Sequence, residues 1–298
     1  EAMSKIRVYH ISVLTACCLM TAASMGLTFY PAGLFYKPVA QGLNASVGSV
    51  SAVTFFVLLS LAVSSLFVPW LLKAVPFKGL ITAGLAMEAG GTALMGFAFG
   101  PAWLYFCALF QGAGAGVCGM VTVAALINNW FYDRNGTRVS IAFAAGALWA
   151  AVLSPVLGIC LSAFGWRLTY VIQAALTALL LLPCVLLPLD ASPERLGQVP
   201  AGRMTPEKEA SAARFPRVLS ETVLICILAA LLVGIPQHFG NYAVSIGLDL
   251  KSGASMLAWA MIGNIISKLA AALAGKFAEP PLVMLGLCAA AAMGLAGL

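Results

Sequence analysis

The chain has 298 residues, 62% of them hydrophobic and only 9% charged, and its mean hydropathy of +1.00 lies far outside the composition of soluble globular domains. These values exclude a water-soluble fold and predict an integral membrane protein. The net charge of +6 falls mostly in polar breaks between apolar runs, where it reads as a topogenic signal and implies no nucleic-acid partner.

A helix needs about 20 apolar residues to cross roughly 30 Å of hydrocarbon. Apolar runs separated by polar or Pro/Gly breaks predict spans at 8–36, 47–72, 79–99, 102–131, 139–164, 168–189, 220–247, 253–275 and 281–298. The ten-residue alternation of a membrane barrel is absent, so the expected fold class is all-α and polytopic. The first run is long and leads directly into a second, which makes it a span and not a cleavable signal. Cys17, Cys18, Cys107, Cys118, Cys160, Cys184, Cys226 and Cys288 lie inside apolar runs without paired spacing and read as small packing residues.

An ionisable side chain inside a span costs roughly 2.5–3.5 kcal/mol on insertion scales and is a functional candidate by default. In chain order the first is Glu88, in the middle of the third span. At that depth a neutral acid costs far less than a carboxylate, so packing and proton relay are both open to it. Gln111 in the fourth span and Trp149 in the fifth are candidates to line a cavity, although small-residue helices also use such side chains in packing. The glycines of "GAGAGVCG" lie within a span and read as tight helix contact. No metal cluster, nucleotide motif or nucleophile with a base is found, so the expectation is a protein without cofactor or metal, and not an enzyme.

After the sixth span comes the longest polar stretch, "DASPERLGQVPAGRMTPEKEASAARFPRVLSE". It predicts an N-terminal six-helix bundle over 1–189, a linker over 190–219 and a partial second bundle over 220–298, holding helices 7–9. Six helices, a basic linker and further helices is the plan of a transporter made of two repeats. The second repeat stops after three spans, so a longer parent chain is expected. With the N-terminus inside, Lys5, Arg7, Lys73, Lys78, Arg134, Arg138, Arg195, Arg203, Lys208, Arg214, Arg217 and Lys276 are cytoplasmic, against Lys37, Arg167 and Lys251 outside.

In the seventh span, "PQHFGNY" holds Gln237, His238, Asn241 and Tyr242, with Pro236 and Gly240 marking a break. Histidine's ordinary pKa near 6.5 suits a proton-linked switch, and a hydrogen bond between helices is the plainer reading. In the eighth, "MIGNIISKLAAALAGK" places Lys268 in a run of apolar residues, about seven residues from the span's end and therefore ~10 Å deep. Its ammonium has three donors for an anion, and Asn264 lies one turn earlier on the same face. Snorkelling to the headgroups is the alternative.

Several stretches together resemble the major facilitator superfamily, in its branch of oxalate/formate antiporters and monocarboxylate transporters. They are "NNWFYDRNGTRVSIAFAAGALWAAVLSP" at 128–155, "GWR" at 165–167, "SPERLGQVPAG" at 192–202, "YPAGLFYKP" in the first span and the run from "GIPQHFGNY" to "AALAGK". The resemblance implies that Lys268, at the position of an arginine in the antiporters, holds a substrate carboxylate, and that Tyr30 contacts substrate. Lysine keeps the charge and gives up bidentate geometry. The branch's acidic partner one turn earlier is Asn264 here, which cannot titrate, and its helix 1 tryptophan is Ala32. The loop "LLKAVPFKG" lacks the superfamily's aspartate.

The resulting expectation is a monomeric secondary transporter of small organic anions, mono- or dicarboxylates such as oxalate, formate or lactate, in the inner cell membrane. Its partners are that anion, the lipid bilayer and, in a symport mechanism, protons. The substrate-site candidates are Lys268, Asn264, Tyr30, Gln237, His238, Tyr242, Gln111 and Trp149, with His238 and Glu88 for proton coupling. The alternatives are an exporter of neutral or cationic compounds, and a non-transporting receptor or inactive truncated paralogue.

Overall fold

A computed structural model describes residues 2–132, 135–198, 200 and 235–274, together with 286, 288–290 and 293. Most of the linker expected at 190–219, the first half of the seventh span and nearly all of the ninth lie outside the described residues. The described part is helical. Helix α1 (Ala2–Thr21) runs on through a π segment (Ala22–Phe29) and a 3-10 segment (Tyr30–Leu34). Then come α2 (Tyr36–Gly42), α3 (Val47–Ala74), α4 (Phe77–Met95), α5 (Pro101–Val117), α6 (Met120–Trp130), α7 (Asn135–Leu186), α8 (Phe239–Ser245) and α9 (Leu250–Ala274).

Local chemistry sets the ends. Ser46 Oγ accepts from Ser49 N at 3.1 Å, which caps α3. Pro101 sits at the first turn of α5, where its missing N–H costs nothing. Asp249 Oδ1 accepts from Ser252 N at 2.9 Å at the start of α9. The turn between the fifth and sixth predicted spans falls inside α7, at Gly165 with φ +74°. A side chain there would be strained, and the glycine lets the chain reverse without a loop. The fourth predicted span, 102–131, is broken between α5 and α6 at Cys118–Gly119.

Among the described residues four stretches are long and apolar enough to cross a membrane: Tyr9–Leu34, Val47–Ala74, Pro101–Trp130 and Asn135–Leu186. The predicted third span is the 19-residue α4, which misses that measure because Lys78, Glu88, two threonines and four glycines dilute it. Its glycines serve packing instead. A Cβ on Gly114 of α5 would overlap the Glu88 backbone of α4, so the two helices touch main chain to main chain. Gly26 and Gly146 bring α1 and α7 together in the same way.

The outward face of α3 carries Phe55, Leu58, Leu59, Val63, Leu66, Phe67 and Trp70, all exposed. In water that stripe would be a large apolar patch, whereas hydrocarbon covers it at no cost. The start of the linker docks on the other end of the bundle, where Trp130 Nε1 and Asn129 Nδ2 each donate at 2.9 Å, to Asp190 O and Ala191 O.

The second group of helices meets the first along α7 and α9, which run antiparallel. Gly158 faces Ala254 near one end of the seam, and Phe143 faces Lys268 towards the other.

Candidate functional site

The changing winding of α1 creates polar attachment points in an apolar setting. In an α-helix Leu27 O would accept the N–H of residue 31, but Pro31 has none. Gln173, 2% exposed on α7, supplies the missing donor through Nε2. Two residues on, Phe29 O accepts from Gln237 Nε2 at 2.9 Å. Short π segments are rare and recur at functional sites, and here one carries Thr28 inwards.

Thr28 Oγ1 donates to Glu88 Oε1 at 2.7 Å. Glu88 is fully buried, and its other oxygen, Oε2, meets no hydrogen-bond partner among the described residues. One turn further along α4, Thr92 Oγ1 donates to Glu88 O at 2.7 Å and accepts from Gln111 Nε2 at the same distance. Thr28, Gln111 and Gln173 also line a cavity of about 30 Å³ together with Tyr36, Thr54, Tyr170 and apolar neighbours. That is room for about two waters. Gln173 Oε1, on a cavity-lining side chain, has no protein partner among the described residues.

Lys268 occupies a different place. It is half-buried in the seam between α9 and α7, and its Nζ donates to Phe143 O at 3.1 Å. Among the described residues no carboxylate lies within ion-pair distance of it. One donor is therefore used and two are not. Asn264 is also half-buried on α9, and its Oδ1 has no partner among the described residues. Trp149 lies on α7, six residues from Phe143, with its Cβ packed where Gly26 of α1 comes closest.

The candidates from the seventh span gather around the end of α1. A Cβ on Gly33 would overlap the Gln237 carbonyl, so α1 and this segment touch backbone to backbone. Gln237 is buried, with Oε1 unpartnered among the described residues. His238 is exposed, immediately before α8, and its ring lies 6.5 Å from that of Tyr36. Tyr242 is 53% exposed. Tyr30 is half-buried and packs edge-on against Phe29.

The nine candidates thus fall into separate places: Lys268 and Asn264 on α9 at its seam with α7; Trp149 where α7 meets α1; Tyr30, Gln237, His238 and Tyr242 at the end of α1; Glu88 and Gln111 inside the first bundle. They do not share one pocket. Sequence reading missed Thr28, Thr92 and Gln173, whose signal is weak: each is a lone hydroxyl or amide in a small-residue helix. Only the Leu27–Pro31 spacing hints that a donor is needed nearby. An open groove of about 260 Å³ lies beyond these groups, lined by Lys37, Gln41 and Asp249.

Comparison with known proteins adds to this geometry. The family profile described as Major Facilitator Superfamily matches residues 14–298. Among solved structures, a D-xylose–proton symporter is similar at 12% identity with a TM-score of 0.61, covering 90% of this chain and 69% of that one. At that identity the likeness speaks for the fold alone. No curated protein matches the chain.

Proposed function

The chain belongs to the Major Facilitator Superfamily of membrane transporters, and from that premise we propose that it moves small organic anions, mono- or dicarboxylates such as oxalate, formate or lactate. The observation that carries this reading is Lys268. It is an ammonium group at the seam between two helix groups, held among the described residues by one main-chain carbonyl, which leaves two donors for a ligand. A carboxylate is the ligand that best matches a half-buried cation in an apolar helix, because the pair lowers the cost of each charge alone.

Asn264 adds an amide one turn away. Trp149, Tyr30 and Gln237 would bound the path on the α1 side, with His238 and Tyr242 nearer one end of it, while Gln111 stays in the cavity of the first bundle. Rocking of one helix group against the other would expose Lys268 to each side in turn. An unoccupied positive charge resists transfer through the membrane centre, which favours exchange or proton-linked symport over leak. The reading places the protein in the inner membrane with its N-terminus cytoplasmic, acting as a monomer.

The solved symporter named above carries a sugar and a proton, so the decisive experiment compares substrate classes. Purified protein in proteoliposomes is loaded with unlabelled formate, oxalate, lactate, xylose or choline, and entry of the labelled compound is followed. Carboxylates exchange and compete with one another, and xylose and choline do neither. Uptake of the sugar or the cation without competition from carboxylates would contradict the proposal and favour an exporter of neutral or cationic compounds.

A further inference from the structure

Glu88 is left unexplained by a site built on Lys268. A carboxyl group buried in the bundle with one side-chain donor and, among the described residues, no cation and no partner for its second oxygen is an expensive way to fill space, since an apolar residue would pack there without cost. Packing alone also fails to explain what surrounds it. Thr28, whose hydroxyl binds it, is one of the residues lining a cavity with room for about two waters. Gln173 lines the same cavity, and its Oε1 is a buried acceptor without a protein partner among the described residues. Water in that cavity, in contact with the Thr28 hydroxyl, is a route by which a proton can reach the acid or leave it.

The same hydroxyl links Glu88 to the other half of the molecule. Thr28 adjoins Phe29, whose carbonyl is held by Gln237, and Gln237 abuts Gly33 backbone to backbone. Separating the Gln237 segment from α1 would release Phe29 O and let the π segment rewind, which moves Thr28 relative to Glu88. We propose that Glu88 is a proton-carrying residue of the transport cycle, served by the water-holding cavity of the first bundle and sensing the approach of the two helix groups through Gln237, Phe29 and Thr28. The step is simple: an excess proton relayed along cavity water reaches the Thr28 hydroxyl, which passes its own proton to the Glu88 carboxylate as it accepts the incoming one, and the same relay runs in reverse after the helix groups have moved.

The other titratable groups on the elements packed against α4 are Tyr105, Cys107 and Cys118 from α5 and its end, Arg138, Cys160, Arg167, Tyr170 and Cys184 from α7, Lys73 from α3, and Tyr30 from α1 beyond its first half. Arg167 donates to Gly96 O at 3.2 Å, eight residues or ~12 Å along the helix from Glu88. It is too far to pair with the acid.

This proposal does not depend on the identity of the substrate, and its first test needs none. Infrared difference spectra of the full chain in lipid nanodiscs are recorded across a pH titration. A protonated-carboxyl band titrates reversibly in wild type, shifts on ¹³C-glutamate labelling and is absent in Glu88→Gln. Thr28→Val keeps the band and shifts its midpoint. In proteoliposomes with labelled formate, oxalate or lactate, Glu88→Gln loses accumulation driven by a pH gradient and retains exchange of labelled for unlabelled anion. A structural acid gives a band that never titrates, and that result overturns the proposal. So does a Glu88→Gln variant that folds and accumulates substrate as wild type does.

Discussion

Glu88 and Lys268 are both ionisable groups in apolar helices, yet their surroundings differ in kind. Glu88 is enclosed on every side, bonded to a side chain and wedged at a glycine contact between α4 and α5. Lys268 is half-buried, bonded to one carbonyl across a seam, with donors to spare. An enclosed group can exchange only something as small as a proton or a water. A group on a seam can exchange a ligand when the seam opens. The contrast therefore divides labour between a fixed bundle interior and a movable boundary.

The harshest way to break the contrast is to force the interior apart. Gly114→Leu puts a side chain where the Glu88 backbone lies, and overpacking of that kind costs about 3 kcal/mol. Thermal unfolding in detergent is expected to show a marked loss of stability. A variant as stable as wild type would mean that α4 and α5 are not in main-chain contact.

Next comes the seam. Lys268→Ala removes a charge-assisted contact worth about 1.5–3 kcal/mol, or roughly ten- to a hundredfold in anion affinity. Competition binding of oxalate or formate measures it. Lys268→Arg keeps the charge and is expected to recover most of the affinity.

A milder change sharpens the account of α1. Gln173→Leu withdraws the donor from Leu27 O, which Pro31 cannot replace, at an expected cost of about 1 kcal/mol. Its thermal stability should fall below wild type while carboxylate binding at Lys268 is kept. Loss of binding as well would show that interior and seam are not separable.

The smallest expected effect lies outside the membrane. Hydrogen bonds from Ser252 hold the Asp249 carboxyl below its ordinary value. A depressed pKa means that this cap stabilises α9 above the ordinary aspartate range and that the contribution disappears as the pH falls through and below the depressed value. Asp249→Ala is therefore slightly less stable than wild type at pH 7, and the difference begins to shrink below about pH 4 and vanishes once the pH is below the depressed value.

How much of this was legible in the sequence follows from what each feature depends on. Helix α3, the turn at Gly165 and the isolation of Lys268 are local: an uninterrupted apolar run, a Gly-Trp-Arg break and a charge among alanines announce themselves. Glu88 stood out for the same reason. Its partner did not, because Thr28 lies 60 residues away in sequence and owes its position to a change of helical winding near Pro31. Gln173 reaches across 146 residues. Tertiary approach, set by glycines on α1, α4, α5 and α7, decides which lone hydroxyls and amides become a network, and no periodicity encodes that. His238 was open to two readings, a proton-linked switch or a hydrogen bond between helices, and it sits exposed immediately before α8 with its ring near that of Tyr36.

The central claim is that the Lys268 charge on the α7–α9 seam holds the substrate carboxylate. Its most direct test is the rate of exchange of labelled for unlabelled oxalate or formate in proteoliposomes, compared between wild type, Lys268→Ala and Lys268→Arg at matched amounts of folded protein. The account predicts that exchange is lost in the alanine variant and largely restored in the arginine one. Equal exchange by wild type and Lys268→Ala would contradict it.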